Sequence, residues 1–256
     1  PENLAILTTR LQHPGEGYFT TTRDTSAATA YVAAVAADIR AAYPRLRPET
    51  IRALIVHSAK WTSTMQTRVD ATTTKGAAVN LLRRYGMGVP SLERATRSAS
   101  NALTLVDEAV IHPYTRDRNS SSGKSHEMNL HLLPWPSDEL SALGETQVQL
   151  RVTLSYFVEP NPSSRGWTGR YVYPSHGLRF AMKRPEDNLD AFRQRVNKQA
   201  REEGKKPLPL RTETGWLFGH DQQTSSGSLH TDIWTGSAAD LAAKEAVVVY
   251  LSLIHI

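Results

Sequence analysis

Between Gln147 and Phe157 the chain alternates. Val148, Leu150, Val152, Leu154 and Tyr156 fall on one side, and Gln147, Gln149, Arg151, Thr153 and Ser155 on the other. A period of two over this length predicts a half-buried strand, apolar toward a core and polar toward water. The runs 228–236 and 245–251 predict two further strands, and the stretch before Pro134 is expected to enter another. Residues 186–203 change the period. Leu189, Phe192, Val196 and Ala200 recur at spacings of three and four, the stripe of an amphipathic helix.

The first hundred residues are patterned differently. Residues 4–9 predict a short buried strand, and 10–22 a polar loop containing Pro14, Gly15 and Gly17. From Ala27 to Ala42 nearly every residue is small or apolar, which predicts a helix buried on all sides. Pro44 and Pro48 break the chain. With its fixed backbone angle and missing N–H, Pro48 suits the first position of a second helix, through Ile51, Leu54 and Val56 to about Ala59. A threonine-rich loop, a helical piece from Ala77 to Arg84, the turn "YGMGVP" (85–90) and a helix from Ser91 to about Ala99 complete this part. A boundary near residue 105 therefore divides a mainly helical piece of an α/β domain (1–104) from a β-rich domain (105–256).

Composition narrows the class. Of 256 residues, 39% are hydrophobic and 21% charged, as in an ordinary folded protein rather than a disordered or membranous one. No run approaches the roughly 18 apolar residues of a spanning helix, so no membrane partner is expected. The net charge of +5 is scattered, and basic residues of the helix at 186–203 and its flanks interleave with acidic ones. A solvated face is expected there and no nucleic-acid partner. The absence of cysteine excludes disulfides, thiolate metal sites and a cysteine nucleophile. The chain starts at Pro1, and its final "LSLIHI" reads like translated adapter sequence. The expectation is a partial reading frame in which His255 carries no meaning.

Candidate chemistry gathers at "TTRDTSAATA" (21–30). Asp24, Thr25 and Ser26 are all good helix caps, since a side-chain oxygen can accept from the first-turn N–H groups. A hydroxyl in that place also sits where backbone N–H groups and the helix dipole favour a developing oxyanion. Ala27 and Ala28 are small enough to let a substrate backbone approach.

"DTSAATAYVAAVAADIRAAYP" resembles the serine motif of the subtilisin-like serine peptidases, Gly-Thr-Ser-x-Ala followed by a long buried helix. "LRPETIRALIVHSA" (46–59) is similar to that family's next helix, and "YGMGVPSLERA" (85–95) to its Tyr-Gly-x-Gly turn before a closing helix. The three fall in the family's order across residues 1–100. Asp24 stands where the family has glycine, and Ala28 where the match is also imperfect, which marks a divergent branch. The resemblance implies a serine endopeptidase acting on polypeptide substrates. Ser26 would be its nucleophile, and the Ser26 backbone N–H half of its oxyanion hole. It implies the C-terminal part of a parallel-sheet catalytic domain. The aspartate, histidine and oxyanion asparagine would lie upstream of Pro1, leaving this chain inactive alone. "LRVTLSYFVEPNP" (150–162) is similar to a strand and turn of the jelly-roll domains that follow subtilase catalytic domains, so a β-sandwich is expected from residue 105. No cofactor is expected. Structural calcium is possible in a full-length parent but assignable to no residue here. The rival reading is a non-catalytic binding or scaffold protein with a decayed subtilase core.

Other motifs fail on spacing. An α/β-hydrolase would need glycine where Asp24 and Ala28 stand. "SSSGKSH" (120–126) lacks the first glycine of a phosphate loop, which would fall at Arg118. The histidines of "HEMNLH" are five apart rather than the four that put both on one helix face for zinc. His13 reads as a loop residue and His57 as structural. Trp135, Trp167 and Trp216 read as core or rim packing rather than a binding face.

Overall fold

The chain opens on a hairpin. β1 (Ile6–Thr9) pairs antiparallel with β2 (Phe19–Thr22), Ile6 opposite Thr22 and Thr9 opposite Phe19. The computed structural model describes residues 6–11, 13–98, 103–112, 114–115, 124–125, 128–157, 177–202, 214–219 and 227–252. Five helices follow the hairpin: α1 (Thr25–Ala42), α2 (Pro48–Ser58), α3 (Ser63–Asp70), α4 (Lys75–Tyr85) and α5 (Leu92–Ser98). Pro48 occupies the start of α2 as its missing N–H allows. Thr62 and Thr74 cap α3 and α4 by accepting from Met65 N (3.4 Å) and Ala77 N (3.2 Å). The expected threonine-rich loop therefore contains a helix, because its threonines serve as caps. Likewise β2 forms inside the expected polar loop, from the aromatic and β-branched run Phe19–Thr22.

Two burial expectations are corrected. β1 is exposed, with Leu7 at 69%. α1 is buried only along one stripe, where Val35 and Ile39 meet Ile51 and Leu54 of α2 and Ala95 of α5. Alanine fits a covered and an uncovered helix face alike, so its run does not reveal which sides are packed. The expected parallel sheet is also absent among the described residues, where every strand pair is antiparallel. A parallel pair needs two strands joined by a crossover. From β2 to residue 98 the chain forms only helices and their connections.

The β-rich part begins with a two-residue pair, β3 (Tyr114–Thr115) and β4 (Lys124–Ser125). β5 (Met128–Leu132) and β7 (Gly177–Met182) flank β9 (Ala246–Ser252) in one antiparallel sheet. β6 (Gln147–Ser155) pairs with β8 (Leu229–Ser237) over nine residues, from Gln147 opposite Ser237 to Ser155 opposite Leu229. The two sheets share a core: Val148, Leu150, Val152 and Leu154 of β6 meet Phe180 and Met182 of β7 beside Trp216 and Trp234. The short helices α6 (Ser137–Ala142) and α8 (Ala238–Ala243) close one end of it with Leu140 and Leu241. α7 (Leu189–Glu202) lays the predicted stripe on β9, with Phe192 and Val196 fully buried against Ala246, Val248 and Tyr250.

Trp216 lies in the core, its ring 5.9 Å from Phe180, and half-buried Trp135 donates from Nε1 to the Lys244 carbonyl (2.8 Å). Trp167 lies outside the described residues. The solvated basic face needs one correction. Lys183 is buried, its Nζ donating to the Ala243 carbonyl at 2.8 Å and lying 3.5 Å from Glu245. A long aliphatic stem can be covered while its ammonium reaches a polar partner. Most of "SSSGKSH" lies outside the described residues, and Lys124 and Ser125 form β4.

Candidate functional site

Ser26 is the second residue of α1. Asp24 precedes the helix with extended backbone, and its carbonyl accepts from Ala27 N (3.0 Å) and Ala28 N (3.3 Å). Its carboxylate does not cap the helix; Oδ2 accepts from the Thr22 hydroxyl at 3.4 Å. Ser26 is exposed, and among the described residues neither its hydroxyl nor its N–H has a hydrogen-bond partner. The first N–H groups of a helix have no intrahelical acceptor and carry the positive end of its dipole. Ser26 thus presents a free hydroxyl and a free N–H together at that end.

No base joins it. The carbonyl of His13 accepts from Glu16 N (3.0 Å) in the β1–β2 loop. His57, near the end of α2, meets the Thr153 hydroxyl through Nδ1 at 3.1 Å. Of the "HEMNLH" histidines, His126 lies outside the described residues, as does His255. His131 sits on β5, with Nδ1 2.5 Å from Asp107. Among the described residues no group of three or more His, Asp or Glu is arranged to hold a metal. No helix among them is long and apolar enough to cross a membrane. The Subtilase family model matches residues 2–88, from the hairpin through Ser26 and α1 to Gly88 of the predicted turn. These residues are similar to the subtilase family, and the resemblance to that family is confined to them. No curated protein and no solved structure matches the chain.

The subtilase segment is seated on the β-rich part by α2. The expected solvent face of β6 is instead its cover: Arg151, Thr153 and Ser155 are half-buried against that helix. Arg151 Nη1 donates to the carbonyls of His57 (2.8 Å) and Ala59 (2.6 Å), and Arg94 of α5 donates to that of Ser58 (2.8 Å). Two guanidiniums therefore satisfy the open carbonyls at the negative end of α2. At mid-helix, Arg52 donates to Ser155 Oγ (2.9 Å), Ser228 Oγ (3.2 Å), and the carbonyls of Tyr156 (3.0 Å) and Ser228 (2.6 Å). Its guanidinium also lies 4.6 Å from the Phe157 ring centre. Only arginine supplies a planar fork of five donors. Arg52→Met keeps the stem and removes four bonds, leaving two carbonyls to find water. It should lower unfolding free energy by about 2–3 kcal/mol in urea titration, and Arg52→Lys should recover less than half. A loss under about 0.5 kcal/mol would show the seam to be incidental. The strand period hid this seam, since it separates apolar from polar residues but not water-facing from protein-facing polar ones. The available signal was local: β6 carries short hydroxyls around a single arginine rather than a mixed-charge face.

A cavity of about 1500 Å³ opens where α2 meets β5, β6 and the extended segment 103–112. His57, Arg94, Asp107, His131, Arg151 and Tyr156 stand on its wall, and Ser26 is not among the described residues lining it. Segment 103–112 is pinned on both sides. Glu108 accepts from Arg47 N (2.7 Å) and the Thr50 hydroxyl at the start of α2, while Asp107 holds His131. Partial burial of Glu108 works against ionisation, yet the Thr50 and Arg47 hydrogen bonds and the Arg47 charge hold its carboxyl below the ordinary range. His57 is pushed down to about 4, first by burial and then by the charges of Arg151 and Arg94. Its imidazole is neutral at pH 7. Arg151 is lowered to about 10 by burial and by Arg94, and stays charged.

Proposed function

We propose that the chain carries the nucleophile of a subtilisin-like serine endopeptidase of an Asp-Thr-Ser branch. Residues 1–104 form the C-terminal part of its catalytic domain, and 105–256 an appended β-sandwich. Ser26 attacks the scissile carbonyl of a polypeptide, a bond forms from Oγ to carbon, and its proton passes to a histidine held by an aspartate. The Ser26 N–H stabilises the resulting oxyanion together with an asparagine side chain. The observation that carries this reading is the pairing of a free hydroxyl and a free N–H at the head of α1, inside the matched segment. The exposed side of α1, with Tyr31 at 55%, and the exposed Leu7, Tyr18 and Phe19 of the hairpin are the surface on which the rest of a catalytic domain would dock.

No histidine among the described residues bonds Ser26, and on this reading the activating aspartate and histidine lie upstream of Pro1. The chain alone is inactive. A fluorophosphonate probe should label it no more than its Ser26→Ala variant. In a longer chain that supplies the aspartate and histidine, Ser26→Ala should cut peptide hydrolysis by about 10⁴-fold or more. Unchanged hydrolysis would reject Ser26, and labelling of the chain alone would reject its inactivity. One observation favours the scaffold reading instead: the cavity lies at the α2 seam and not at Ser26. On that reading the upstream motifs are missing, and ligands engage the β-rich part.

A further inference from the structure

Among the described residues, His57 forms no ion pair with a carboxylate, and a protonated imidazole there would meet two guanidiniums. From β6 it faces Arg151 and Thr153, and Thr153 is bonded in turn to Thr231 of β8 (3.0 Å). From α5 it faces Arg94, and its own helix supplies Arg52 and Ser58 nearby. The charged residues in the C-terminal half of α1, Asp38 and Arg40, are exposed. Of the four carboxylates on the cavity wall, Glu49 and Glu108 lie at the opposite end of α2, where Glu108 is engaged by Thr50 and Arg47 N, while Asp107 is engaged by His131 and Asp70 accepts from Gln66 Nε2 (2.7 Å). The two guanidiniums cannot simply turn away. They hold the His57, Ser58 and Ala59 carbonyls, the contacts that fix the end of α2 on β6.

We propose that His57 is an acid-sensitive latch: a proton on its ring sets a third positive charge against Arg151 and Arg94, and the end of α2 lifts from β6, loosening the subtilase segment on the β-rich part. Lifting lets water screen the three charges, and loss of the proton restores the seat. The device does not depend on whether Ser26 is catalytic.

In the lifted state His57 regains its ordinary value near 6.5, against about 4 when seated. Between these values the lifted state binds more protons, so the seat weakens as pH falls through that window. At pH 5 the lifted population should rise by about twentyfold over pH 7 if the full difference is realised. Hydrogen–deuterium exchange, corrected for the intrinsic pH dependence, reads this directly on the whole chain. Protection of 54–60 and 149–155 should fall together between pH 7 and pH 5, while 47–50 keeps its protection. The His57 ring resonance should titrate well below its ordinary value, toward about 4. His57→Gln, which can still bond Thr153 but takes no proton, should hold protection within about twofold over the range. Loosening that persists in His57→Gln, or that starts at 47–50 where Glu108 titrates, would overturn the latch. If His57→Gln fails to fold, the wild-type titration decides alone. A ring midpoint near 6.5 with protection unchanged through it would also overturn the proposal.

Discussion

Gly88→Ala should cost about 3 kcal/mol or more of stability, among the largest losses from any single methyl group added to this chain. Gly88 closes the turn after α4 at φ +97°, a conformation that side chains rarely adopt. A Cβ there would stand 2.1 Å from the Lys60 carbonyl oxygen, 2.3 Å from its carbon and 2.6 Å from Trp61 N. All three are backbone atoms, so no rotamer change relieves the clash. The contact belongs to a bridge in which Lys60 N donates to the Val89 carbonyl (3.0 Å) and Val89 N to that of Lys60 (2.8 Å). To admit the methyl group the chain must break that bridge and part the end of α2 from the turn. Gly86→Ala is the control. Gly86 has φ +54° but open space where its Cβ would go, so it should lose only the strain, about 1–2 kcal/mol. Urea unfolding of the two variants measures the difference. Equal losses would mean that the close approach to Lys60 contributes nothing.

That turn was legible because its chemistry is local. "YGMGVP" announces tight backbone through its glycines, Pro48 announces a helix start, and Leu189, Phe192, Val196 and Ala200 announce a buried stripe. Each signal needs only the residue and its near neighbours. Ser26 was legible as a helix-start serine within a family-like order, and the family match covers it. What covers a face was not legible. The alanines of α1 fit either environment, and the polar residues of β6 fit water as well as a helix end. The seam depends on contacts about a hundred residues apart, Arg52 to Ser155 and Arg151 to His57. No window of the sequence holds both partners, so periodicity passes over the contact that joins the two parts.

Asp232→Ala should destabilise the chain by about 3 kcal/mol, through the seam as well as through the strand that carries the residue. Asp232 is fully buried on β8. Its Oδ1 accepts from Phe218 N (3.0 Å) and Ile233 N (2.8 Å), and its Oδ2 from Gly219 N (2.8 Å). A buried carboxylate is tolerated when backbone N–H groups converge on it, and its removal leaves those donors without an acceptor at about 1 kcal/mol or more each. Asp232→Asn keeps one acceptor oxygen but turns an amide donor toward the others, so it should lose a substantial part of the same stability. The carboxylate holds down the short segment 214–219, and that segment delivers Phe218, 1% exposed, into a cluster with Ala59, Ala78 and Met87. The Phe218 ring meets Trp61 edge to face at 6.3 Å. Asp232 therefore acts at a distance: it fixes a loop of the β-rich part whose aromatic side chain completes the core of the subtilase segment. In Asp232→Ala, hydrogen exchange should quicken at 59–61 and 78–79 as well as at 217–219. Quickening confined to 217–219 would show that Phe218 stays seated in this cluster without its anchor.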